Sequence, residues 1–429
     1  MTRLRDALTT RGHAFVAAGV TLLAGGLLLG FTDITRVGVL VATLPLLAAI
    51  SARRSRSGSK VVVTRTVHPA RLVVDQSAKV TVVLECTSDR HIPLQIAEEN
   101  IHYLLGDRPR FVLPSMLPGD VREVSYQIRS QVRGRFRLGP LQVRRRDPYG
   151  LAAIAATLPG SVDILVLPRI EALGSGRPRG DGFGTAGSIP HMVALHGEDD
   201  VTVRTYRNGD DLRRIHWPAT AHHSELMVRQ EDRPARRRAV IVLDSRADGH
   251  QGSGTLGSFE WAVTAAASVA AHLSEHRYAL HLVSAETTAE GTAAQTAELD
   301  DALASLALAQ VGSAERFDQV LHWASPLTSA GGLVVVIVTD HDEAVLRRIA
   351  ALRQPEGTGV LILLDSASFA PPRAGAPSAQ TQTPTRTQAL AAMAAEAGWS
   401  TCVVRSDMTI AQAWDAISAR STVASGGWR

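Results

Sequence analysis

HGEDDVTVRTYRNGDDLRRIHWPATAHHSELMVR, residues 196–229, leads through a short stretch into RRRAVIVLDSRAD, residues 236–248. A segment dense in Arg, Asp, His and Trp runs into a wholly apolar strand closed by Asp244. An unbroken apolar strand is what a sheet covered on both faces requires. In α/β proteins, ligands bind beyond the carboxyl ends of such strands. The chain therefore sets its most polar segment beside an edge where binding residues collect.

The pattern downstream agrees with that reading. After AVIVLD (239–244), residues 258–276 carry Trp261, Val263, Ala265, Val269, Ala271 and Leu273 at helical spacing. Strands are expected at 278–284, 331–340, 359–365 and 401–405, and helices at 298–309, 342–352, 387–397 and 410–417. Strands alternating with helices predict a mostly parallel sheet with helices on both faces, spanning 236–429. Residues 366–386, rich in Ala, Pro, Ser, Gln and Thr, read as a flexible insertion.

Upstream, the period shortens. VVVTRTV, AKVTVVLEC, REVSYQIRS and GPLQVRRRD are β-branched runs separated by turn residues. They predict an antiparallel β-sandwich over 58–173. Asp147-Pro148-Tyr149-Gly150 is a turn signal. Arg133, Arg135, Arg137 and Arg144 to Arg146 fit a solvated strand face better than a basic patch. GSGRPRGDGFGTAGSIP (174–190) marks a Gly-rich linker over 174–195. It lacks the Lys-Ser/Thr ending and strand-to-helix context of a phosphate loop.

The N-terminal 57 residues are different again. Residues 14–31 hold no charge, about the minimum to cross a bilayer core. A second apolar run, 37–52, follows after TDITR. Together they predict a transmembrane helical hairpin. Arg3, Arg5 and Arg11 precede it, and Arg53, Arg54, Arg56 and Lys60 follow it. Basic flanks stay cytoplasmic, so both ends and the soluble parts are expected on that side of the plasma membrane.

Length (429 residues) allows two or three domains, and 20% charged with 45% hydrophobic residues fits folded ones. The net charge of +4 is small, and 4% aromatic content leaves few stacking platforms, which argues against nucleic acid. Cys86 and Cys402 form no metal-binding spacing and fall in different predicted domains.

The opening segment also carries a resemblance. Arg204, Tyr206, Gly209, Asp210, Asp211, Arg213, Ile215 and Trp217, then Ala221, Leu226, Val228 and Arg229, stand as in the domain of unknown function 58 family. Family members have Asp before the Trp and Ser-Ala-Arg after it; this chain has His216 and Thr220-Ala221-His222. Fainter echoes are RGRFRLGP (133–140), DPYGL (147–151), VLPR (166–169) and AGWSTCVV (397–404).

The resemblance implies that the C-terminal domain is similar to a von Willebrand factor A domain. Its metal-ion-dependent adhesion site begins Asp-x-Ser-x-Ser after the first strand. Here those places hold Asp244, Arg246 and Asp248, with Thr339 and Asp340 on a later loop. Mg²⁺ demands oxygen ligands, and a guanidinium has no lone pair to offer. The site is therefore expected to be degenerate, with Arg246 paired to Asp244 or Asp248 in the cation's place. By resemblance the partner is a MoxR-type AAA+ ATPase, and the role that of a non-enzymatic, membrane-anchored adaptor. The competing reading is a metal-dependent hydrolase using Asp210, Asp211, His216 and His222. The plainer expectation for the segment is structure or partner docking. Arg204, Asp211, Arg213 and a buried Trp217 would pin it, and His222-His223 on a strand would splay their rings apart.

Overall fold

The computed structural model describes residues 8–56, 61–89, 91–147, 149–174, 202–206, 215, 217–223, 225–230, 237–329, 331–354, 357–371 and 386–423. They divide into two compact units, Met1–Arg169 and Ile170–Arg429.

The first unit opens with two helices, α1 (Thr10–Leu29) and α2 (Thr32–Arg56). Thr9 caps α1 by accepting the Gly12 amide, and Gly30 ends it in the left-handed conformation. Only Gly30 and Phe31 separate the helices, so the second begins five residues earlier than the apolar run suggested. Asp33 and Arg36, expected in the turn, instead pair within the first turns of α2 at 3.1 Å. Thr10–Leu29 and Thr32–Ser51 are each long and apolar enough to cross a membrane. The helices lie against each other through Gly19 on the Ala42 backbone and Gly38 on that of Leu23.

Ten strands follow: β1 (Val61–His68), β2 (Leu72–Val73), β3 (Ser77–Cys86), β4 (Gln95–Glu99), β5 (Arg110–Leu113), β6 (Val121–Arg129), β7 (Gly134–Leu138), β8 (Leu141–Arg146), β9 (Ala153–Leu158) and β10 (Val162–Leu167). They form not two sheets but three, ordered β1-β3-β6, β2-β10-β7 and β5-β4-β8-β9. Every pairing is antiparallel except the short β2–β10 contact. In β3, Ala78, Val80, Val82, Leu84 and Cys86 turn inward at every second position. They join Leu105, Ile128, Leu138 and Val166 in one shared core. At roughly 1.5–3 kcal/mol for each large apolar side chain removed from water, this core carries the unit.

The second unit begins earlier than the sequence suggested. Residues 170–173 were grouped with the β domain, yet Glu171 is bonded to the α/β elements. Its amide donates to Ser268 Oγ at 2.9 Å, and its carboxylate accepts from the Ile410 amide at 3.3 Å. The expected linker lies mostly outside the described residues. Next come β11 (Thr202–Thr205), α3 (Trp217–His223) and β12 (Met227–Gln230), with β11 and β12 antiparallel.

The remainder alternates: β13 (Arg238–Leu243), α4 (Ser258–Glu275), β14 (Ala279–Val283), α5 (Ala285–Glu290), α6 (Leu299–Leu308), α7 (Ala314–Ser329), β15 (Leu333–Thr339), α8 (Glu343–Ala350), β16 (Thr358–Leu364), α9 (Arg386–Glu396), β17 (Ser400–Val404) and α10 (Ile410–Val423). The five strands from β13 on make one parallel sheet, ordered β14-β13-β15-β16-β17. Val240, Val242, Val334, Val336 and Val338 share a core with Phe317 of α7, Leu346 of α8 and Leu390 of α9. Helix α4 packs on β13, β14 and β15 and also against α10. The supposed insertion starts later than expected, since Ser366–Phe369 forms a 3₁₀ turn and Arg386 already begins α9. Helices α5 and α7 were not expected. Pro326 near the end of α7 breaks the helical reading of that stretch.

Candidate functional site

The order β14-β13-β15 places a topological switch point at the carboxyl ends of β13 and β15, where chain connections depart in opposite directions. Asp244 follows the last residue of β13, and Thr339 is the last residue of β15. Both are fully buried, as is Arg246.

Asp244 is saturated. Its Oδ1 accepts from the Arg246 amide and from Arg246 Nε, both at 3.0 Å. Its Oδ2 accepts from Arg246 Nη2 at 2.8 Å and from the amide and hydroxyl of Thr339, both at 3.3 Å. Five donors thus meet a group with about four lone-pair positions. The guanidinium sits side-on, with two parallel bonds, which is the strong geometry for this pair. Its other edge lies 3.7 Å from Asp342 Oδ2, and its plane stacks 5.0 Å from the Phe317 ring centroid. Burial works to lower the pKa of Arg246. The hydrogen bonds and charge of Asp244, with the charges of Asp342 and Asp248, overcome it and leave the pKa raised.

Neighbouring residues hold this pair in place. The Ala247 amide donates to the Gly312 carbonyl at 2.9 Å, and the Gly312 amide to that of Ser245 at 2.6 Å. This brings the start of α7, and so Phe317, under Arg246. Gly249 packs so closely on Thr339 that a Cβ there would collide with its hydroxyl. His250 donates from Nε2 to the Asp244 carbonyl at 3.0 Å, and its Nδ1 lies 3.0 Å from Ser258 Oγ. The carbonyl can only accept, so the neutral ring carries its proton on Nε2. Burial holds the His250 pKa below its ordinary value. The Ser258 hydroxyl also accepts the Gln251 amide and is fully buried, so this Ser–His contact braces a loop and does not present a nucleophile.

Not every residue singled out from the sequence belongs here. Asp248 is largely exposed and lies 3.6 Å from His341 Nε2. Asp340 accepts from the Ser366 amide and hydroxyl at 3.2 and 2.6 Å and from the Thr387 hydroxyl at 2.5 Å. It ties β15 to the start of α9 and does not join Asp244. Sequence reasoning missed Phe317, His250, Ser258 and Asp342. The polar, Gly-containing run DGHQ (248–251) after the strand reads only as a turn and gave no cue to a strapped loop.

The residues do not fit Mg²⁺. Octahedral coordination at about 2.0–2.1 Å would need free oxygens, and both Asp244 oxygens are taken by nitrogen and hydroxyl donors. Among the described residues, no three His, Cys, Asp or Glu side chains form a group able to hold a metal.

In the signature segment, Gly209, Asp210, Asp211, Arg213 and His216 lie outside the described residues. Arg204 stands on β11 and Arg229 on β12, one register step apart across the pair. Tyr206 follows β11, its amide donating to the Leu226 carbonyl at 2.7 Å. Two expectations are corrected. Trp217 is not buried: it starts α3 and is 66% exposed. His222 and His223 lie on the last turn of that helix, not on a strand. In the first unit, Arg135 and Arg137 do face solvent on β7, and Arg137 pairs with Asp163 at 2.9 Å. Arg133 is buried.

A parallel α/β sheet whose switch point is closed by an internal ion pair, following a β unit and two apolar helices, defines the class of protein. Residues 202–312 match the model of a family described as a protein of unknown function, DUF58. No curated protein matches the chain. Solved structures similar to parts of it include the CARDB domain of a Pyrococcus furiosus protein, at 14% identity over 25% of this chain and 92% of that one (TM-score 0.19). Another is the Bordetella pertussis ApaA protein, at 12% identity over 25% and 93% (TM-score 0.19). A third is the Pseudomonas fluorescens alkylpurine DNA glycosylase AlkC, at 18% over 31% and 38% (TM-score 0.19).

Proposed function

We propose that this chain is a membrane-anchored, non-enzymatic interaction module with a von Willebrand factor A-like α/β unit. Its partner is a MoxR-type AAA+ ATPase, and its role is that of an adaptor in remodelling or maturing client proteins. The soluble units face the cytoplasm, following the basic flanks of the hairpin. The observation that carries this reading is the closed Asp244–Arg246 pair. Where the resemblance puts an exchangeable cation, this chain keeps a buried, neutralised fixed charge. Such a site offers neither a Lewis acid nor an open ligand position. Recognition then falls to the exposed surface, where Trp217 on α3 presents a large amphipathic ring of the kind that anchors protein interfaces.

The reading is tested by purifying the full chain in mild detergent and identifying stoichiometric companions. Recovery of a AAA+ ATPase is expected. Trp217→Ala is expected to cut that recovery without moving the melting temperature. Absence of any AAA+ ATPase, or unchanged recovery with the variant, overturns the proposal.

A further inference from the structure

The foot of the hairpin is fastened to one turn of the β unit. The Thr9 amide donates to the Leu151 carbonyl at 3.0 Å, and the Thr9 hydroxyl to that of Gly150 at 2.6 Å. Leu8 forms a bridge with Ala152. Gly12 presses on the same turn, and a Cβ there would collide with the Leu151 carbonyl. The second helix is fastened at the same place: Ala49 of α2 and Ala152 bury each other, with Leu8 and Ala48 packed around them. Held at both helices, the turn cannot slide along the hairpin axis.

The turn is also stiff. The Asp147 carboxylate accepts the Tyr149 amide at 3.0 Å and the Ala152 amide. Backbone bonds run from Gly150 to the Asp147 carbonyl and from Asp147 to that of Ala152. Leu151 and Ala152 point inward and are buried, while Tyr149 points out and is 75% exposed. The Arg11 guanidinium lies against Gly150.

The height of this turn follows from the helix. The uncharged run begins at Ala14, and its 16 helical residues, to Leu29, rise about 24 Å, most of the ~30 Å of a bilayer core. Gly12, the residue touching the turn, is two residues below that start, about 3 Å along the axis. The headgroup layer on each side is about 5–8 Å deep. On α2 its contact Ala49 lies three residues, about 4.5 Å, inside the end of the second apolar run, so the turn sits at the boundary between hydrocarbon and headgroups.

We infer that the Asp147–Ala152 turn rests on the membrane surface as a rigid collar at the foot of the hairpin, with Tyr149 among the lipid headgroups and Arg11 beside it toward their phosphates. Tyrosine favours that layer because its ring is apolar and its hydroxyl is wet. The collar sets the depth of the β unit on the bilayer. This inference rests on the membrane-anchored reading above.

The test places a nitroxide label on full-length protein reconstituted in phosphatidylcholine–phosphatidylglycerol vesicles. Labels go on Tyr149→Cys, on Tyr103→Cys in the same unit, which is 79% exposed, and on Val20→Cys at the middle of α1. Unmodified protein, whose Cys86 and Cys402 are buried, gives the background. Collision with lipid-soluble oxygen and with an aqueous nickel chelate reports depth. The label at 20 is expected to meet oxygen and exclude nickel, and the label at 103 to meet nickel freely. The label at 149 is expected between them, with nickel access severalfold below that at 103. Arg11→Cys should read the same level as 149. Equal nickel access at 149 and 103, with 20 deep, overturns the collar while leaving the anchor standing. Free nickel access at 20 overturns the anchor, and the collar with it.

Discussion

Arg65 and Arg246 each end in a guanidinium sealed from water against a carboxylate, one in each unit. Arg65 reaches Glu99 across 34 residues, from β1 to β4, which belong to different sheets. It meets the carboxylate end-on, one Nη2 serving both oxygens at 3.0 and 3.3 Å. Its Nη1 donates to the Gly160 carbonyl at 2.9 Å, and its Nε is buried with no partner. Burial outweighs the pairing at Glu99, whose pKa is raised even though Arg65 pulls it down. Arg246 binds a carboxylate two residues away, side-on, and there the pairing outweighs burial. The first pair stitches two sheets together at the expense of its own satisfaction. In the second the carboxylate is saturated, and the pair closes a place where a ligand would sit.

The largest expected effects come from removing one carboxylate. An arginine cannot shed its charge, and breaking a buried pair costs about 3–5 kcal/mol. Glu99→Ala should sit in that range. Asp244→Ala should cost at least as much, since it leaves Arg246 without its carboxylate and also strands the amides of Arg246 and Thr339. Hydrogen exchange, read separately for each unit in detergent, measures both; the reverse ranking would break the comparison.

Replacing both partners sharpens it. Arg65→Met with Glu99→Leu should cost less than either single variant, since it removes both charges and leaves only the Gly160 carbonyl and the Asn100 amide to find new partners. Arg246→Met with Asp244→Leu should still be destabilising. It strands the amides of Arg246 and Thr339, at about 1–3 kcal/mol for each buried donor left unpaired. Equal outcomes for the two double variants would show that the extra donors at Asp244 carry no weight.

Magnesium separates the pairs in another way. The unmodified chain should show no Mg²⁺-dependent rise in melting temperature. With Arg246→Ser and Asp248→Ser, Asp244 is released, and Mg²⁺ at a hundred times its dissociation constant should add about 2.7 kcal/mol. A shift in the unmodified chain that Asp244→Ala abolishes would reverse the reading of this site.

The smallest effect is that of pH, and its sign differs between the units. Glu99 has a raised folded-state pKa, so its contribution to the first unit is present in acid and is lost as pH rises through that value. His250 has a lowered one, so the second unit keeps its full contribution above about pH 6.5 and loses it as pH falls below. His281, lowered by burial and by the Arg238 charge, acts in the same sense. Asp365, raised by burial and by Asp340, opposes both. The contrast is therefore made with His250→Gln. Between pH 7 and 5 the variant should lose less stability than the original. Parallel pH curves for the two proteins would remove His250 from the account.

The two pairs also show what a sequence can and cannot display. Asp244 and Arg246 were legible because both sit at one strand end, within a spacing that carries meaning. Thr339 was legible because it ends another apolar strand. Arg65 and Glu99 were not, since nothing local marks an arginine on β1 for a glutamate on β4; only the packing of separate sheets brings them together. Phe317 escaped for a related reason, as α7 reaches Arg246 through the Gly312 contact. Trp217 was expected inside because tryptophan is large and apolar, yet a helix-starting position on a short element gave it no core to enter. The parallel strands and the helices with clear periodicity, such as α4 and α6, were the easiest features to read, whereas α5 and α7 were missed. The turn at Asp147 was visible only as a turn.

The side-on pair has a consequence during synthesis. Thr339 lies 95 residues after Asp244. At about 5–20 residues per second, the ribosome needs on the order of 5–20 s to deliver it. Throughout that interval β13 lacks its β15 neighbour. Arg246 emerges almost together with Asp244, so that carboxylate has a counter-charge before any sheet exists to bury it. Glu99 follows Arg65 by 34 residues and gains its partner only when two sheets close. Nascent chains stalled before residue 339 should therefore already hold the 244–246 contact, with β13 still an open edge awaiting its neighbour.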